Sequence, residues 1–123
     1  MSMFLVTYVH PDSRGWQTHL GPHLEWIAGQ VDAGTLRASG PTLTDPTHTG
    51  DTRTAALLFN SPDRLTLESI LATDPYMEHG QVAELTIAQW DPIFGVLNAD
   101  STQRGRNAEQ IVSDILATFG ASH

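Results

Sequence analysis

Residues 35–60, TLRASGPTLTDPTHTGDTRTAALLFN, decide the fold, because they hold two strand-like runs with no helical period between them. The first run, residues 35–39, is short and is closed by Gly40-Pro41, a pair that punctuates strand ends. The second, TRTAALLFN at residues 52–60, has the β-type composition of a strand that pairs with its neighbours. Between them, residues 42–51 are rich in Thr, Asp, Gly and Pro, the composition of a surface loop. Two strands joined without a helix form a hairpin-like pair.

Outward from this pair, each side supplies one helix and one strand. Upstream, Trp16, Leu20, Leu24, Ile27 and Val31 recur at helical spacing, which predicts a helix over residues 16–31 stopped by Ala33-Gly34. Pro22 removes one backbone hydrogen bond and crowds the preceding turn, so this helix either begins at Gly21-Pro22 or bends there. Before it, residues 3–9 are apolar, β-branched and aromatic and are closed by His10-Pro11-Asp12, the pattern of a strand buried on both faces and central in its sheet. Downstream, Ser61-Pro62-Asp63 offers an N-cap, a proline for the first helical position and an early acid. Leu67, Ile70 and Leu71 then share one helical face until Asp74-Pro75 interrupts it. Residues 82–90 alternate, with Val82, Glu84, Thr86, Ala88 and Trp90 on one side, and form a fourth strand.

The order β-α-β-β-α-β is that of an α+β, ferredoxin-like sandwich, in which one antiparallel sheet carries both helices on a single face. The opposite face is left bare, and an uncovered apolar face predicts a homodimer. After Asp91-Pro92 the chain is polar through Arg106. Asn107 and Gln110 then resemble a capping box, and Ile111, Val112, Ile115, Leu116 and Phe119 form an apolar stripe ended by Gly120. The expected organisation is one domain over residues 1–95, then a polar linker and a C-terminal amphipathic helix over 96–123 that docks on its own domain or on its dimer mate.

The chain has 123 residues, about the length of one domain. No apolar run approaches the ~20 residues of a membrane span, so no membrane partner is expected. Fourteen acidic residues face six basic ones, all Arg, and the net charge of -8 repels phosphate backbones, which argues against nucleic acid. With no Cys there is no disulfide, thiolate metal site or thiol nucleophile. The opening residues MSMFLVTYVHPDSR lack the basic start and small-residue cleavage site of a signal peptide, so a cytoplasmic location is expected.

His23 lies about 60° from the centre of the apolar stripe of the first helix, on its border. With Pro22 at the first helical position it falls in the first turn, where the positive end of the helix dipole disfavours the imidazolium. A neutral, basic ring is the result, although a border histidine more commonly packs its ring and bonds a carbonyl. Asp74, held out of the helical region by Pro75, projects from a turn. It can simply cap a short helix ending near Gly80; paired with an imidazole, its carboxylate would fix the tautomer and free the other nitrogen as a base. His19 and His23, with His48 or His79, admit a metal reading, but Pro22 disturbs the spacing and His19 falls on the polar side, so no metal is expected. Ser39-Gly40-Pro41 can present amides to a ligand, and Tyr8, Tyr76, Trp16 and Trp26 can line an aromatic pocket, although turn formation and core packing are their commoner roles.

GPHLEWIAGQVDAGTLRASGP (residues 21–41) and ATDPYMEHGQVAELTIAQWDPIFG (residues 72–95) together resemble the YCII-related (YciI-like) proteins. The likeness rests on His-Leu early in the first helix, on Gly-x-Leu-x-x-x-Gly-Pro across the second strand, and on Asp-Pro-Tyr ahead of a glycine and the last strand. It implies a ferredoxin-like fold forming dimeric α/β barrels, and a His-Asp dyad carried here by His23 and Asp74. Family members often carry Arg three residues before the histidine; this chain has Leu20 there, which leaves any anion contact of that Arg without a carrier.

The expected function is a small enzyme that needs no cofactor and works by general acid/base proton transfer, of lyase or isomerase type, on a cyclic or aromatic-derived small molecule. His23 and Asp74 are the catalytic candidates, and Tyr8, Gly40, Pro41 and Tyr76 the substrate-binding ones. The rival reading is a non-catalytic ligand-binding or protein-interaction dimer, because this fold serves many roles.

Overall fold

The computed structural model describes residues 1–42 and 53–120. Most of the expected loop over residues 42–51, the start of its second strand at Thr52, and His48 lie outside the described residues. Strand β1 (Ser2–His10) is followed by helices α1 (Ser13–Thr18) and α2 (Leu20–Asp32), then by β2 (Leu36–Thr42) and β3 (Arg53–Ser61). Helices α3 (Arg64–Leu71) and α4 (Pro75–Glu78) lead to β4 (Glu84–Gln89). A 3-10 turn, Asn98–Asp100, precedes α5 (Ala108–Ile115), which runs into a π-helical turn at Leu116–Gly120.

The four strands form one antiparallel sheet in the order β2-β3-β1-β4, so the fold is the α+β, ferredoxin-like arrangement and β1 is central, as its composition predicts. Phe4, Val6 and Tyr8 of β1 alternate onto the helix-bearing face and pack with Leu57, Phe59, Leu36, Leu67 and Leu71. Each such side chain contributes about 1.5–3 kcal/mol by leaving water. Helix α3 buries Leu67 and Leu71 in this core, whereas α2 buries no residue completely and leaves Leu24 and Val31 exposed. Helix α2 therefore stands over the sheet with a gap beneath it, and the candidate site occupies that gap.

Three element boundaries differ from the sequence pattern. The helix expected over residues 16–31 is two helices, broken at His19 (φ -103°, ψ 9°). The break places Pro22 third in α2, among the N–H positions that lack an intrahelical acceptor, so the proline neither starts the helix nor bends it. Strand β2 does not stop at Ser39: it continues through Gly40 and Pro41, which oppose Ala56 and Ala55. An edge strand tolerates the missing N–H of proline. The cap of α3 is Asp63, not Ser61; its carboxylate accepts from the Thr66 amide at 2.7 Å, which holds it below the usual carboxylate range.

The face opposite the helices carries Leu5, Thr7, Ala56 and Leu58, the alternate residues of β1 and β3. Leu97 and Trp90 join Leu5, Ala56 and Leu58 around a shallow depression of about 360 Å³ on this side. The polar segment after β4 is tied in place by Asp91, which accepts from the amide and hydroxyl of Thr102, and by Asn98, whose amide donates to Ile93 and Gln103 carbonyls at 2.8 and 3.0 Å. The capping box of α5 forms as its sequence predicts, with Asn107 and Gln110 bonding each other's backbone. Among the described residues no helix is long and apolar enough to cross a membrane.

Candidate active site

Chain segments 51 residues apart meet where the first turn of α2 faces the N-terminus of α4. There His23 Nδ1 lies 2.8 Å from Asp74 Oδ1. Because an ionised carboxylate only accepts, Nδ1 carries the proton and Nε2 is left with a free lone pair. Asp74 is fully buried and collects three donors: His23 Nδ1 and the Tyr76 amide (3.0 Å) on Oδ1, and the Tyr8 hydroxyl (2.9 Å) on Oδ2. The same oxygen thus caps α4 and orients the imidazole, so the two roles open to Asp74 in the sequence coincide. The Tyr8 hydroxyl is pushed strongly up, first by burial and then by the negative charge and hydrogen bond of Asp74, and it remains a donor.

The ring of His23 is fixed on its flank as well. Tyr76 stacks on it with centroids 4.2 Å apart, and Trp26 follows at 6.0 Å, anchored by an indole N–H donating to Thr73 Oγ1 at 2.8 Å. The Tyr76 hydroxyl donates to the Trp16 carbonyl at 2.7 Å, and burial with the nearby Asp74 charge pushes its pKa up to about 12. These contacts leave His23 partly accessible, with 13% of its side chain exposed.

Beside His23 opens a cavity of about 360 Å³, roofed by Leu20, His23, Leu24 and Ile27 of α2 and floored by β2 and β3. This volume lies within the range of small-molecule sites, about 300–1,000 Å³. Ser39, Gly40 and Pro41 form the wall from β2, and Tyr76, stacked on His23, lines the cavity as well. Gly40, Pro41 and Tyr76 therefore lie where the sequence places them. Tyr8 does not: it is buried behind the wall as a donor to Asp74, because alternation in β1 turns it into the core. Trp16 lines the cavity, under the guanidinium of Arg53 at 4.8 Å, whereas Trp26 supports His23 from outside it. Among the described residues no Lys, Arg, Asp or Glu lines the cavity, and Leu20 forms part of its wall.

His10 is a site residue that the sequence pattern misses. It is 3% exposed at the end of β1, lines the cavity, and places Nδ1 2.6 Å from the Gln81 carbonyl. Its signal was present in the period of β1, since His10 shares the parity of Phe4, Val6 and Tyr8. Burial, chiefly, lowers its pKa, with the carbonyl contact opposing. Of the histidines of the metal reading, His19 and His79 stack at 4.2 Å and His48 lies outside the described residues; no group of three or more His, Cys, Asp or Glu among the described residues is placed to hold a metal.

Comparison with known proteins agrees with the fold. The chain resembles the solved structure of 5-chloro-2-hydroxyhydroquinone dehydrochlorinase (TftG) from Burkholderia phenoliruptrix AC1100 in complex with 2,5-dihydroxybenzoquinone. The TM-score is 0.62 at 22% identity, covering 76% of this chain and 95% of that one, which is a likeness of fold. A conserved protein from Methanosarcina mazei Go1 matches with TM-score 0.47 and 12% identity over 73% of this chain and 92% of that one. No curated protein matches the chain in sequence. The family model of the YCII-related domain matches residues 1–91, the whole sheet with α1 to α4, and the chain belongs to the YCII-related family.

Proposed function

We propose that this protein is an enzyme of lyase or isomerase type that moves a proton on a small, uncharged ring-derived molecule, with His23 as general base and Asp74 as its orienting partner. The observation that carries the reading is the buried Asp74 carboxylate. By holding His23 Nδ1 at 2.8 Å it leaves Nε2 as the basic nitrogen of a side chain that lines the cavity. As Nε2 takes the proton, the imidazolium forms against a carboxylate already in place, so little reorganisation is needed. A positioned base of this kind contributes about 10²–10⁴-fold, enough for a C–H already activated by a neighbouring carbonyl or enol.

The cavity supports the substrate class. Among the described residues no Lys, Arg, Asp or Glu side chain lines it, and its aromatic and aliphatic walls suit a flat ring. The dehydrochlorinase that shares the fold acts, by its name, on a chlorinated and hydroxylated ring, and its elimination belongs to the same reaction type. Residues Gly40, Pro41 and Tyr76 would contact the ring. We place the working form as a homodimer built on the sheet face opposite the helices.

The test is proton exchange. Candidate hydroxylated rings and cyclic enones are incubated in D2O with the parent and with His23→Ala, and ring deuteration or leaving-group release is followed by NMR. The expected result is catalysed exchange with at least one candidate, lowered about 10²–10⁴-fold in the variant at unchanged helicity. Equal rates for parent and variant overturn the general-base role, and saturable ligand binding without exchange favours the binding-module reading.

A further inference from the structure

We propose that His10 is a second functional imidazole of this site: a hydrogen-bond acceptor that selects ring ligands bearing a hydroxyl or enol O–H. The inference rests on the proposed function, because it names what the ring held next to His23 must carry.

The tautomer of His10 follows from its partner. The Gln81 carbonyl can only accept, so Nδ1, 2.6 Å away, is the protonated nitrogen and Nε2 bears the lone pair. Gln81 is itself tied to α4, since its amide donates to the Tyr76 carbonyl at 2.7 Å. The ring is also wedged between two aromatics: the Tyr8 ring meets it edge-on at 5.8 Å and Tyr76 lies tilted against it at 4.7 Å. Burial, the largest influence, lowers the pKa of the imidazole and favours the neutral ring, in which Nε2 accepts. Among the described residues no hydrogen bond engages that nitrogen, while the residue forms part of the cavity wall.

Two imidazoles therefore flank one aromatic ring, His23 at 4.2 Å and His10 at 4.7 Å from Tyr76, and both present bare nitrogens by the same device. Their duties differ because their anchors differ. His23 is backed by a carboxylate, which can face an imidazolium; His10 is backed by a neutral carbonyl, and its burial lowers its pKa. A buried acceptor that only a ligand can satisfy discriminates strongly between a hydroxyl and a methyl of equal size, because the methyl leaves it unpaired. In a cavity whose other walls are mainly apolar, His10 is the group that tells a hydroxylated ring from a hydrocarbon one.

The test compares hydroquinone with p-xylene, which matches it in shape and has no donor. The full chain, labelled with 15N at histidine, is titrated anaerobically with each. The expected result is that hydroquinone moves the His10 Nε2 resonance from the bare towards the hydrogen-bonded position and p-xylene does not. In His10→Asn the carboxamide keeps a donor towards the Gln81 carbonyl and deletes the Nε2 acceptor; the preference for hydroquinone over p-xylene is expected to fall about fivefold to tenfold. An unchanged preference, or an unmoved His10 signal at saturating hydroquinone, overturns the proposal. If hydroquinone moves His23 signals alone, the role of His10 fails and the general-base reading stands; if it moves neither, both fail. The labelled parent gives this answer even if the variant does not fold.

Discussion

At Asp74 the cap of α4 and the orienting of His23 use the same oxygen, and this makes an informative substitution available. Asp74→Asn can keep the bonds from His23 and the Tyr76 amide on its carbonyl oxygen and turn its amide nitrogen to the Tyr8 hydroxyl, which then accepts. What it removes is the negative charge that stabilises an imidazolium. The expected outcome is a thermal midpoint close to the parent's with proton exchange slowed about 10²-fold or more. Retained exchange would show the charge to be dispensable. His10 yields a second expectation. Its folded pKa is lowered from 6.5, mainly by burial, so the unfolded chain binds the proton more readily. Its contribution to stability is therefore complete above pH 6.5 and is lost as pH falls through the lower folded value. Urea midpoints measured between neutral and mildly acid pH should decline, and His10→Asn, which cannot titrate, should flatten part of that decline. Of these residues, His23 and Asp74 are marked in the sequence by the helix border and by Pro75, each with a commoner structural role, and it is the family resemblance that pairs them. His10 is obscured, since His-Pro after an apolar run reads as a strand end and its anchor lies 71 residues away.

Element boundaries shift for reasons that local pattern does not contain. The stripe from Trp16 to Val31 is continuous, but the structure divides it at His19, where Pro22 can then sit in a first turn. Gly40-Pro41 reads as a stop, yet an edge strand has no partner on its outer side and passes through it. The capping box of α5 is legible because both of its bonds lie within four residues, Asn107 to Gln110 at 2.8 and 2.9 Å. That helix has eight residues and buries only Ile111, leaving Val112 and Ile115 exposed, so its cap carries much of its stability. Asn107→Ala should cost about 1 kcal/mol, seen as faster amide exchange confined to α5 with the global midpoint unchanged, because α5 contributes nothing to the main core cluster. A midpoint lowered by several degrees would instead place α5 in the cooperative unit.

For the whole molecule, the sheet has two faces with unequal cover. The helix side closes over Phe4, Val6, Tyr8, Leu57 and Phe59, while the other buries Met3 and Leu58 but leaves Leu5 and Ala56 half-buried beside a shallow depression, with Trp90 43% exposed at its rim. Phe94, Val96, Leu116 and Phe119 are exposed as well, at 48, 98, 57 and 72%, so the chain after β4 adds further uncovered apolar surface. Large exposed apolar patches mark association sites, and pairing through a two-fold axis would bury these residues on both copies. The candidate site lies on the opposite side of the sheet, under α2, so association through the bare face would leave the cavity open. The expected mass in sedimentation equilibrium is therefore twice 13.4 kDa. Ala56→Arg sets a charge in the middle of that face without touching the core. It should give a folded monomer whose ligand binding at His23 persists. A parent that sediments as a monomer, or a variant that remains dimeric, would exclude this face as the interface.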